Sequence, residues 1–262
     1  MNIHTFVVLA YKESKYLEDC VKSVLNQKYK SNVVIATSTP NKYIDNLAKK
    51  YKLDVYVNKE KKGIGYDFDF ASNCVKNKLI TIAHQDDIYD YEYSENIVNH
   101  YNKYPDSTII FTDYYEIKKS KKEYSNINLK IKRILLLPLR IKNISKYKFI
   151  KRLCLRFGNS ISCPAVTYVQ DNVPYKKFNY NMKCDVDWYA WEKLSKIKGR
   201  FIFIPKKLMG HRIDDATTTT KIINDGIRTK EDLEILKKFW PSLVAKIINR
   251  IYKKSEKNNF KV

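Results

Sequence analysis

The chain has 262 residues, 44% of them hydrophobic, and a formal net charge of +22 from 50 lysines and arginines against 28 acids. This length fits one large domain with appended segments. So large a positive excess implies an anionic partner: nucleic acid, an acidic membrane leaflet or a phosphorylated substrate. No uninterrupted apolar run approaches the roughly 20 residues of a spanning helix, which excludes a chain that crosses a membrane. The five scattered cysteines argue against a disulfide framework or a zinc site and suit a reducing cytoplasm.

The first hundred residues alternate strand and helix signals. Short β-prone runs at Phe6–Ala10, Val33–Ala36 and Leu79–Ile82 are separated by segments with apolar residues at helical spacing. Repeated β-α-β units predict a mostly parallel sheet flanked by helices. Similar signals continue to a strand at Arg200–Ile204. We predict an α/β domain over residues 1–220 and a basic helical tail over 221–262.

The positive charge is concentrated in residues 118–157. Between Lys118 and Arg156 the sequence has fourteen basic residues and one acid, Glu123. Apolar residues interleaved with lysine and arginine fit a helix that lies on an anionic membrane surface. They also fit an ordinary amphipathic helix with its apolar stripe in the core and its lysines in water. We predict a basic helical insertion here, with an anionic membrane surface as its expected partner.

Two adjacent carboxylates, Asp86 and Asp87, follow the predicted strand Leu79–Ile82. Ligands bind beyond the carboxyl ends of parallel strands, and two acids there repel each other unless a cation or proton lies between them. Mg²⁺ or Mn²⁺ takes such oxygen ligands and bridges phosphate oxygens. His211 can complete the coordination, and Arg212 can bind phosphate. The alternative is a solvated acidic turn that caps the next helix.

The predicted helix from Asp185 to Ile197 carries a second set of candidates. A carboxylate at its start can remove the proton from an attacking hydroxyl. Trp188 and Trp191 lie about one helical turn apart, so they can stack on an acceptor sugar. Packing in the core is the alternative for both tryptophans.

In order and spacing, these motifs resemble the family 2 glycosyltransferases, inverting enzymes with the GT-A fold. The resemblance covers roughly residues 1–220. It rests on Val7–Glu13, Ser23–Gln27, Gln85-Asp86-Asp87 in place of the Asp-x-Asp motif, Asp185-x-Asp187-Trp188, and His211-Arg212 followed by Thr217–Thr219. The last of these, like the basic tail, resembles bacterial members that build capsule-type surface polysaccharides.

The resemblance implies a Rossmann-like GT-A fold and the inverting transfer of a sugar from a nucleotide-diphosphate donor to an acceptor hydroxyl. UDP-sugars are favoured, with dTDP-sugars as an alternative, and the implied acceptor is a lipid-linked or other glycan. The implied location is cytoplasmic, at the inner face of the membrane. Mn²⁺ or Mg²⁺ is implied on Asp87 and His211. The implied donor-binding residues are Ala10, Tyr11, Glu13, Thr37, Ser38, Asp67, Asp69, Gln85, Asp86 and Arg212.

Two departures from the family pattern bear on these assignments. Cys184 stands where a glutamate would precede the catalytic base, so Asp185 is the implied base and Asp187 its close rival. Ala36–Thr39 stands where the second strand usually ends in an acid that contacts the nucleobase. Hydroxyls or backbone must then recognise the base here.

Two other functions fit part of the sequence. A basic nucleic-acid-binding protein accounts for the charge and the many tyrosines, but not for carboxylates gathered at strand ends. A metal-dependent nucleotidyltransferase also pairs a metal with an α/β sheet, but it would release pyrophosphate from a nucleoside triphosphate. We expect no nucleic-acid partner.

Overall fold

The computed structural model describes residues 2–61, 63–213 and 226–259, with side chains described as far as Tyr252. The strands are β1 (His4–Ala10), β2 (Asn32–Thr37), β3 (Val55–Val57), β4 (Leu79–His84), β5 (Ile88–Tyr89), β6 (Ser107–Lys118), β7 (Lys121–Glu123), β8 (Val166–Val169) and β9 (Arg200–Ile213). The α-helices are α1 (Leu17–Leu25), α2 (Lys42–Tyr51), α3 (Ile64–Asn73), α4 (Tyr93–Lys103), α5 (Ile127–Leu135), α6 (Lys148–Leu153), α7 (Val186–Leu194), α8 (Ile227–Leu236) and α9 (Ser242–Asn259).

The strands form one sheet in the order β3-β2-β1-β4-β8-β6-β9-β5, with β7 paired to β6. The β3-β2-β1-β4 half is parallel throughout, and β6 is parallel to β9. Antiparallel pairing joins β8 to both neighbours and β5 to β9. Helices cover the sheet, which confirms the predicted α/β fold with a mostly parallel sheet. Because β1, β2 and β4 run in the same direction, their carboxyl ends lie at one edge.

Alternation along the strands divides the core between the two faces of the sheet. One face packs Val7, Ile82 and Phe111 against α3, α7 and α8. The other face packs Phe6 and Val8, with the corresponding residues of neighbouring strands, against α1, α2 and α4. The hydrophobic strand runs are therefore buried on both sides, as expected for a parallel sheet.

Strand β9 is longer than the sequence pattern predicts. It continues past Ile204 to Ile213 beside β6, and it also pairs Gly210 with Ile88 of β5. A Cβ at Gly210 would lie 2.7 Å from the Tyr115 ring, so glycine allows this close packing. His211 and Arg212 therefore belong to a strand and not to a loop. Thr217–Thr219 lie outside the described residues.

The basic segment is helical, but its helices are shorter than the apolar spacing predicts. Helix α5 is followed by a 3-10 helix at Leu137–Arg140 with Pro138 in its first turn, and α6 has only six residues. Proline fits the first turn of a helix but cannot continue one, because it lacks a backbone N–H. In the part of the chain that the structure describes, no helix is both long and apolar enough to span a membrane.

Candidate active site

The turn after β4 lies against the end of β1. The backbone N–H of Tyr11 donates to Gln85 Oε1 (2.9 Å), and Gln85 Nε2 donates back to the Tyr11 carbonyl (3.2 Å). Ser14 Oγ donates to Asp86 Oδ1 (2.8 Å). Burial raises the pKa of Asp86, and the Asp87 charge raises it further, while the Ser14 hydrogen bond opposes both effects. Gln85 stands where the family motif has an acid. It holds the Tyr11 backbone through two hydrogen bonds and adds no third negative charge to Asp86 and Asp87.

Asp87 is the centre of the cluster formed by β4 and β9. Its side chain is almost completely buried, and Oδ1 accepts a hydrogen bond from the Arg212 backbone N–H (2.8 Å) and lies 3.1 Å from His211 Nδ1. Arg212 Nε donates to the Asp86 carbonyl (2.9 Å), and its guanidinium lies 4.0 Å from the centre of the Tyr16 ring. The structure thus brings together Asp87 and His211, which are 124 residues apart in sequence and were both predicted to bind the metal, with Arg212, which was predicted to bind phosphate.

The electrostatics of His211 follow from this pairing. Burial lowers the pKa of His211, but the charge of Asp87 and the hydrogen bond to it raise that pKa above its ordinary value overall. The positive charge of Lys132 opposes this rise. The imidazole thus contacts one carboxylate and lies within electrostatic range of Lys132 and of a second carboxylate, Glu116.

Asp87 and His211 offer one oxygen and one nitrogen ligand for a divalent cation. Among the residues that the structure describes, no third His, Cys, Asp or Glu completes a metal-binding group. Mg²⁺ is commonly held by one or two carboxylates with substrate phosphates and water filling the other positions. These two side chains fit a cation of that kind, which would depend on the donor for the rest of its ligands.

A second polar cluster lies where β2 ends. Thr37 and Ser38 are buried there, and Ser38 Oγ donates to Asp67 Oδ2 (2.9 Å) while Asn58 Nδ2 donates to Asp67 Oδ1 (3.0 Å). Burial raises the pKa of Asp67, and the two hydrogen bonds partly oppose this rise. Helix α3 thus delivers a carboxylate to the strand end where the sequence has only hydroxyls. Ala10 pairs with Thr37 next to this cluster.

Two of the predicted donor-binding residues have other surroundings. Both oxygens of Asp69 accept hydrogen bonds from the segment before α7, one from the Lys177 backbone N–H (2.8 Å) and one from the Tyr180 hydroxyl (2.9 Å). We therefore assign Asp69 to holding that segment and withdraw it as a donor contact. Glu13 lies exposed on the loop after β1.

Asp187 lies in the first turn of α7 and is partly exposed. Its Oδ2 accepts from Asn159 Nδ2 (2.8 Å), and its Oδ1 accepts from the Trp188 backbone N–H (2.8 Å). Burial raises the pKa of Asp187, while these hydrogen bonds and the charge of Lys132 act in the opposite direction.

Two neighbouring groups connect Asp187 with the Asp87 cluster. Burial raises the pKa of the Cys163 thiol well above its usual range, and the charges of both Asp187 and Asp87 add to that effect. Lys132 of α5 acts on Asp187 and on His211. Its ammonium donates to the Tyr114 hydroxyl (2.9 Å). Asp187 and the Asp87 cluster therefore lie within electrostatic range of the same two side chains.

Asp185 lies on the side of α7 that faces the tail. It is 3% exposed, and burial together with the charge of Asp232 raises its pKa well above the ordinary value. Glu231 of α8 accepts hydrogen bonds from the backbone N–H groups of residues 183, 184 and 185, at 2.8, 2.8 and 3.0 Å. A carboxylate at a helix N-terminus satisfies free N–H groups and complements the helix dipole. The tail thus supplies a carboxylate next to Cys184.

The structure contradicts the prediction that Trp188 and Trp191 bind the acceptor. Both are 0% exposed. Trp188 Nε1 donates to the Leu155 carbonyl (3.1 Å), and the Trp191 ring stacks on Tyr168 with 6.0 Å between centroids. Helix α7 is apolar on more than one face, so its tryptophans fill the core between the sheet and the tail.

The sequence analysis missed several neighbours of the site: Asn58, Lys132, Asn159, Cys163 and Glu231. Most lie in segments without a motif, and their positions depend on tertiary contacts. Lys132 had one usable signal, since it lies in the basic segment that we predicted to bind an anion.

The sequence model described as Glycosyl transferase family 2 matches residues 5–168, more than half of the chain. This match includes the turn that carries Asp86 and Asp87. The chain belongs to glycosyl transferase family 2. It is therefore a glycosyltransferase, and the predicted family resemblance is confirmed. No curated protein matches the chain by sequence.

Solved structures show that this glycosyltransferase has the GT-A fold. S. aureus TarS 1–349 aligns with a TM-score of 0.62 and 13% identity, over 95% of this chain and 69% of that one. TarS 1–349 in complex with UDP-GlcNAc aligns with a TM-score of 0.62 and 14% identity, over 95% of this chain and 70% of that one. The mannosyltransferase PcManGT from Pyrobaculum calidifontis, in complex with GDP-Man and Mn²⁺, aligns with a TM-score of 0.62 and 12% identity. The alignment covers 94% of this chain and 69% of that one. The chain spans only 42% of the longer TarS structure.

Proposed function

We propose that this glycosyltransferase moves a sugar from a nucleotide-diphosphate donor to an acceptor hydroxyl with inversion at the anomeric carbon. One observation carries the proposal. Asp87 is hydrogen-bonded to His211 and to the backbone of Arg212 beyond the end of β4, which gathers groups suited to a cation and a diphosphate, and the charge of Lys132 acts on both His211 and Asp187. Nucleic-acid binding does not account for carboxylates gathered at the strand ends, because they would repel the phosphate backbone.

The donor nucleotide is proposed to lie along the carboxyl ends of β1, β2 and β4. Ser38 and Asp67, joined by a hydrogen bond, are proposed to lie beside the nucleobase, and a UDP-sugar stays the favoured donor. Arg212, fixed by the Asp86 carbonyl and the Tyr16 ring, is suited to bind the diphosphate. The donor complexes of TarS and PcManGT, with UDP-GlcNAc and GDP-Man, support a nucleotide sugar of either base class.

Asp87 and His211 would hold a divalent cation, Mn²⁺ or Mg²⁺, together with the donor phosphates. When bound, such a cation stabilises negative charge on a departing diphosphate. The Mn²⁺ in the PcManGT complex supports this assignment. The charge of Arg212 acts on the same leaving group.

The base is proposed to be Asp187, in place of our first choice, Asp185. A general base must come within hydrogen-bond reach of the proton that it removes. Asp187 is partly exposed, whereas Asp185 is 3% exposed and enclosed with Asp232 beneath the tail. Asp187 thus accepts the proton of the acceptor hydroxyl as that oxygen attacks the anomeric carbon, and the bond to the diphosphate breaks on the opposite face.

The acceptor is proposed to be a lipid-linked glycan at the cytoplasmic face of a bacterial membrane, as in capsule-type surface-polysaccharide synthesis. The support is the basic character of α5, α6 and the tail, which adjoin the site through Lys132. The chain would then act as a peripheral membrane protein.

Donor hydrolysis tests the sugar-transfer proposal without knowledge of the acceptor. A panel of nucleotide sugars is incubated with the wild-type chain and Mn²⁺, and release of the nucleoside diphosphate is measured. We expect turnover with at least one UDP- or dTDP-sugar and a loss of roughly 100-fold or more in Asp87→Ala, the scale of a lost charge-stabilising group. Lys30→Ala is the control, because Lys30 is exposed and lies before β2, at the opposite end of the strand from the site. Wild-type turnover in Asp87→Ala, or no turnover of any donor, would contradict the proposal.

A further inference from the structure

Helix α5 buries Leu129 and exposes Lys130 as an ordinary surface helix would, but it also exposes a row of aliphatic side chains and holds two basic residues inward. Lys132 and Arg133 point inward, where Lys132 donates to the Tyr114 hydroxyl and Arg133 Nε pairs with Asp113 Oδ2 (2.7 Å). The outward row is apolar: Ile127 is 74% exposed and Ile134 is 63% exposed. The row consists of Ile127, Ile131, Ile134, Leu137 and Ile141. An ordinary helix would place this row in the core and the lysines in water.

Helix α9 of the tail carries a second row of the same kind. Leu243 is 73% exposed and Ile251 is 65% exposed. The row consists of Leu243, Val244, Ile247 and Ile251, and Lys246 and Arg250 lie exposed among them. The sequence has no acid between Lys237 and Tyr252.

Contacts join the end of the insertion to the tail. The Tyr252 ring of α9 packs so closely on Gly158, the residue after the insertion, that an added Cβ there would lie 2.8 Å from it. Trp240 Nε1 donates to the Arg156 carbonyl (2.7 Å), and Arg152 donates to the Lys238 carbonyl (2.6 Å). The insertion and the tail are therefore packed against each other, and each exposes its aliphatic side chains.

We propose that these two rows form one docking surface for an anionic phospholipid bilayer. Isoleucines and leucines enter the boundary between headgroups and acyl chains, while the exposed Lys130, Arg140, Lys246 and Arg250 pair with lipid phosphates. Charge excludes a second copy of this chain as the occupant, because two such surfaces would repel. Aliphatic side chains also offer no stacking platform for single-stranded nucleic acid.

The surface adjoins the site through α5, which exposes Ile131 while Lys132 donates to the Tyr114 hydroxyl, and the Tyr114 ring lies edge-on to His211 with 6.2 Å between the ring centres. Docking would therefore hold the site at the lipid headgroups, where a lipid-linked acceptor presents its glycan. This consequence rests on the proposed function, but lipid binding itself does not.

Vesicle sedimentation tests the surface with the full chain. The vesicles contain equal parts of phosphatidylglycerol and phosphatidylcholine, and pure phosphatidylcholine vesicles serve as the comparison. We expect binding to the anionic vesicles only, weakened by salt. The double variants Ile131→Ser/Ile134→Ser and Ile247→Ser/Ile251→Ser should each reduce partitioning by about tenfold or more, because apolar insertion is lost. Tyr175→Ser, which removes a side chain that is 70% exposed outside the surface, should bind as wild type.

Three results would overturn the proposal: unchanged binding in both isoleucine variants, equal binding to the two kinds of vesicle, or no vesicle binding with tight, salt-sensitive RNA binding instead. Thermal unfolding checks that the variants fold. Donor hydrolysis without vesicles is measured in parallel and should be unchanged in the isoleucine variants. If the wild-type chain hydrolyses no donor, the proposed sugar transfer is wrong. If it hydrolyses a donor but binds no vesicles, only the docking surface is wrong.

Discussion

At the scale of single residues, the site depends on carboxylates whose charge is set by their neighbours. Asp67, Asp86, Asp185 and Asp187 all have raised pKa values, with burial as the first cause. In each case a specific contact opposes or adds to the effect of burial. The Ser14 hydrogen bond opposes the rise in the pKa of Asp86, and the charge of Asp232 adds to the rise in the pKa of Asp185. A raised pKa in a cleft is typical of groups that exchange protons, but it also arises in structural clusters. Exposure separates the two cases here: Asp187 is partly exposed and Asp185 is buried, which is why we propose Asp187 as the base.

The pH dependence of activity should report the environment of Asp187. A base acts in its ionised form, so activity falls as the pH falls through its raised pKa. Asn159 donates to Asp187 and favours the ionised form, so Asn159→Ala should raise that pKa further. We expect the acidic limb of the kcat profile for donor hydrolysis to move to higher pH in this variant.

The control for this measurement is Asn172→Ala, which removes an amide that bonds the Pro105 and Ser107 carbonyls. Its profile should match that of the wild type. An acidic limb that stays in place in Asn159→Ala would show that Asp187 does not govern the pH dependence.

At the scale of secondary structure, α7 combines a structural and a chemical role. Its N-terminal turn carries Asp185 and Asp187, and its apolar residues lock it between the sheet and the tail. Glu231 binds the backbone N–H groups before the first turn. The carboxylates are therefore held on a rigid element, as a site with fixed geometry requires.

Trp191 tests the packing role of α7. Trp191→Phe should lower the free energy of unfolding by roughly 1–3 kcal/mol, because it leaves space in a close-packed core. Trp188→Phe should cost at least as much, since it also removes the hydrogen bond to the Leu155 carbonyl. Denaturant unfolding of both variants measures this. Loss of acceptor affinity in Trp191→Phe at unchanged stability would restore the acceptor-binding role that we withdrew.

The elements also show how far the sequence could predict the molecule. Short β-prone runs of four or five residues identified β1, β2 and β4, and strand direction then placed Asp86 and Asp87 at the correct edge. The extension of β9 was missed, because Gly210 and His211 lack a strand pattern and pair with strands that are distant in sequence, β6 and, at Gly210, β5. The sequence also did not predict which faces of α5 and α7 are buried. Helical spacing identifies a row of apolar residues on one face, but it does not show whether that face packs on the core.

At the scale of the whole molecule, the site combines groups from distant segments. The sheet brings Asp87 to His211, α3 brings Asp67 to Ser38, and α8 brings Glu231 to the start of α7. Each of these contacts joins residues whose spacing in sequence carries no signal. Motif order was enough to predict the family and the Asp87–His211 pair, but choosing between Asp185 and Asp187 needed burial and neighbours.

The choice of base is tested most directly by donor hydrolysis in Asp187→Asn and Asp185→Asn, with donor affinity measured by calorimetry. Water takes the place of the acceptor hydroxyl in this assay. Asp187→Asn should lower kcat by about 10²–10⁴-fold, the usual range for a lost general base, with donor affinity unchanged. Asp185→Asn should have a much smaller effect on kcat. Full turnover in Asp187→Asn together with a large loss in Asp185→Asn would contradict this account of the site.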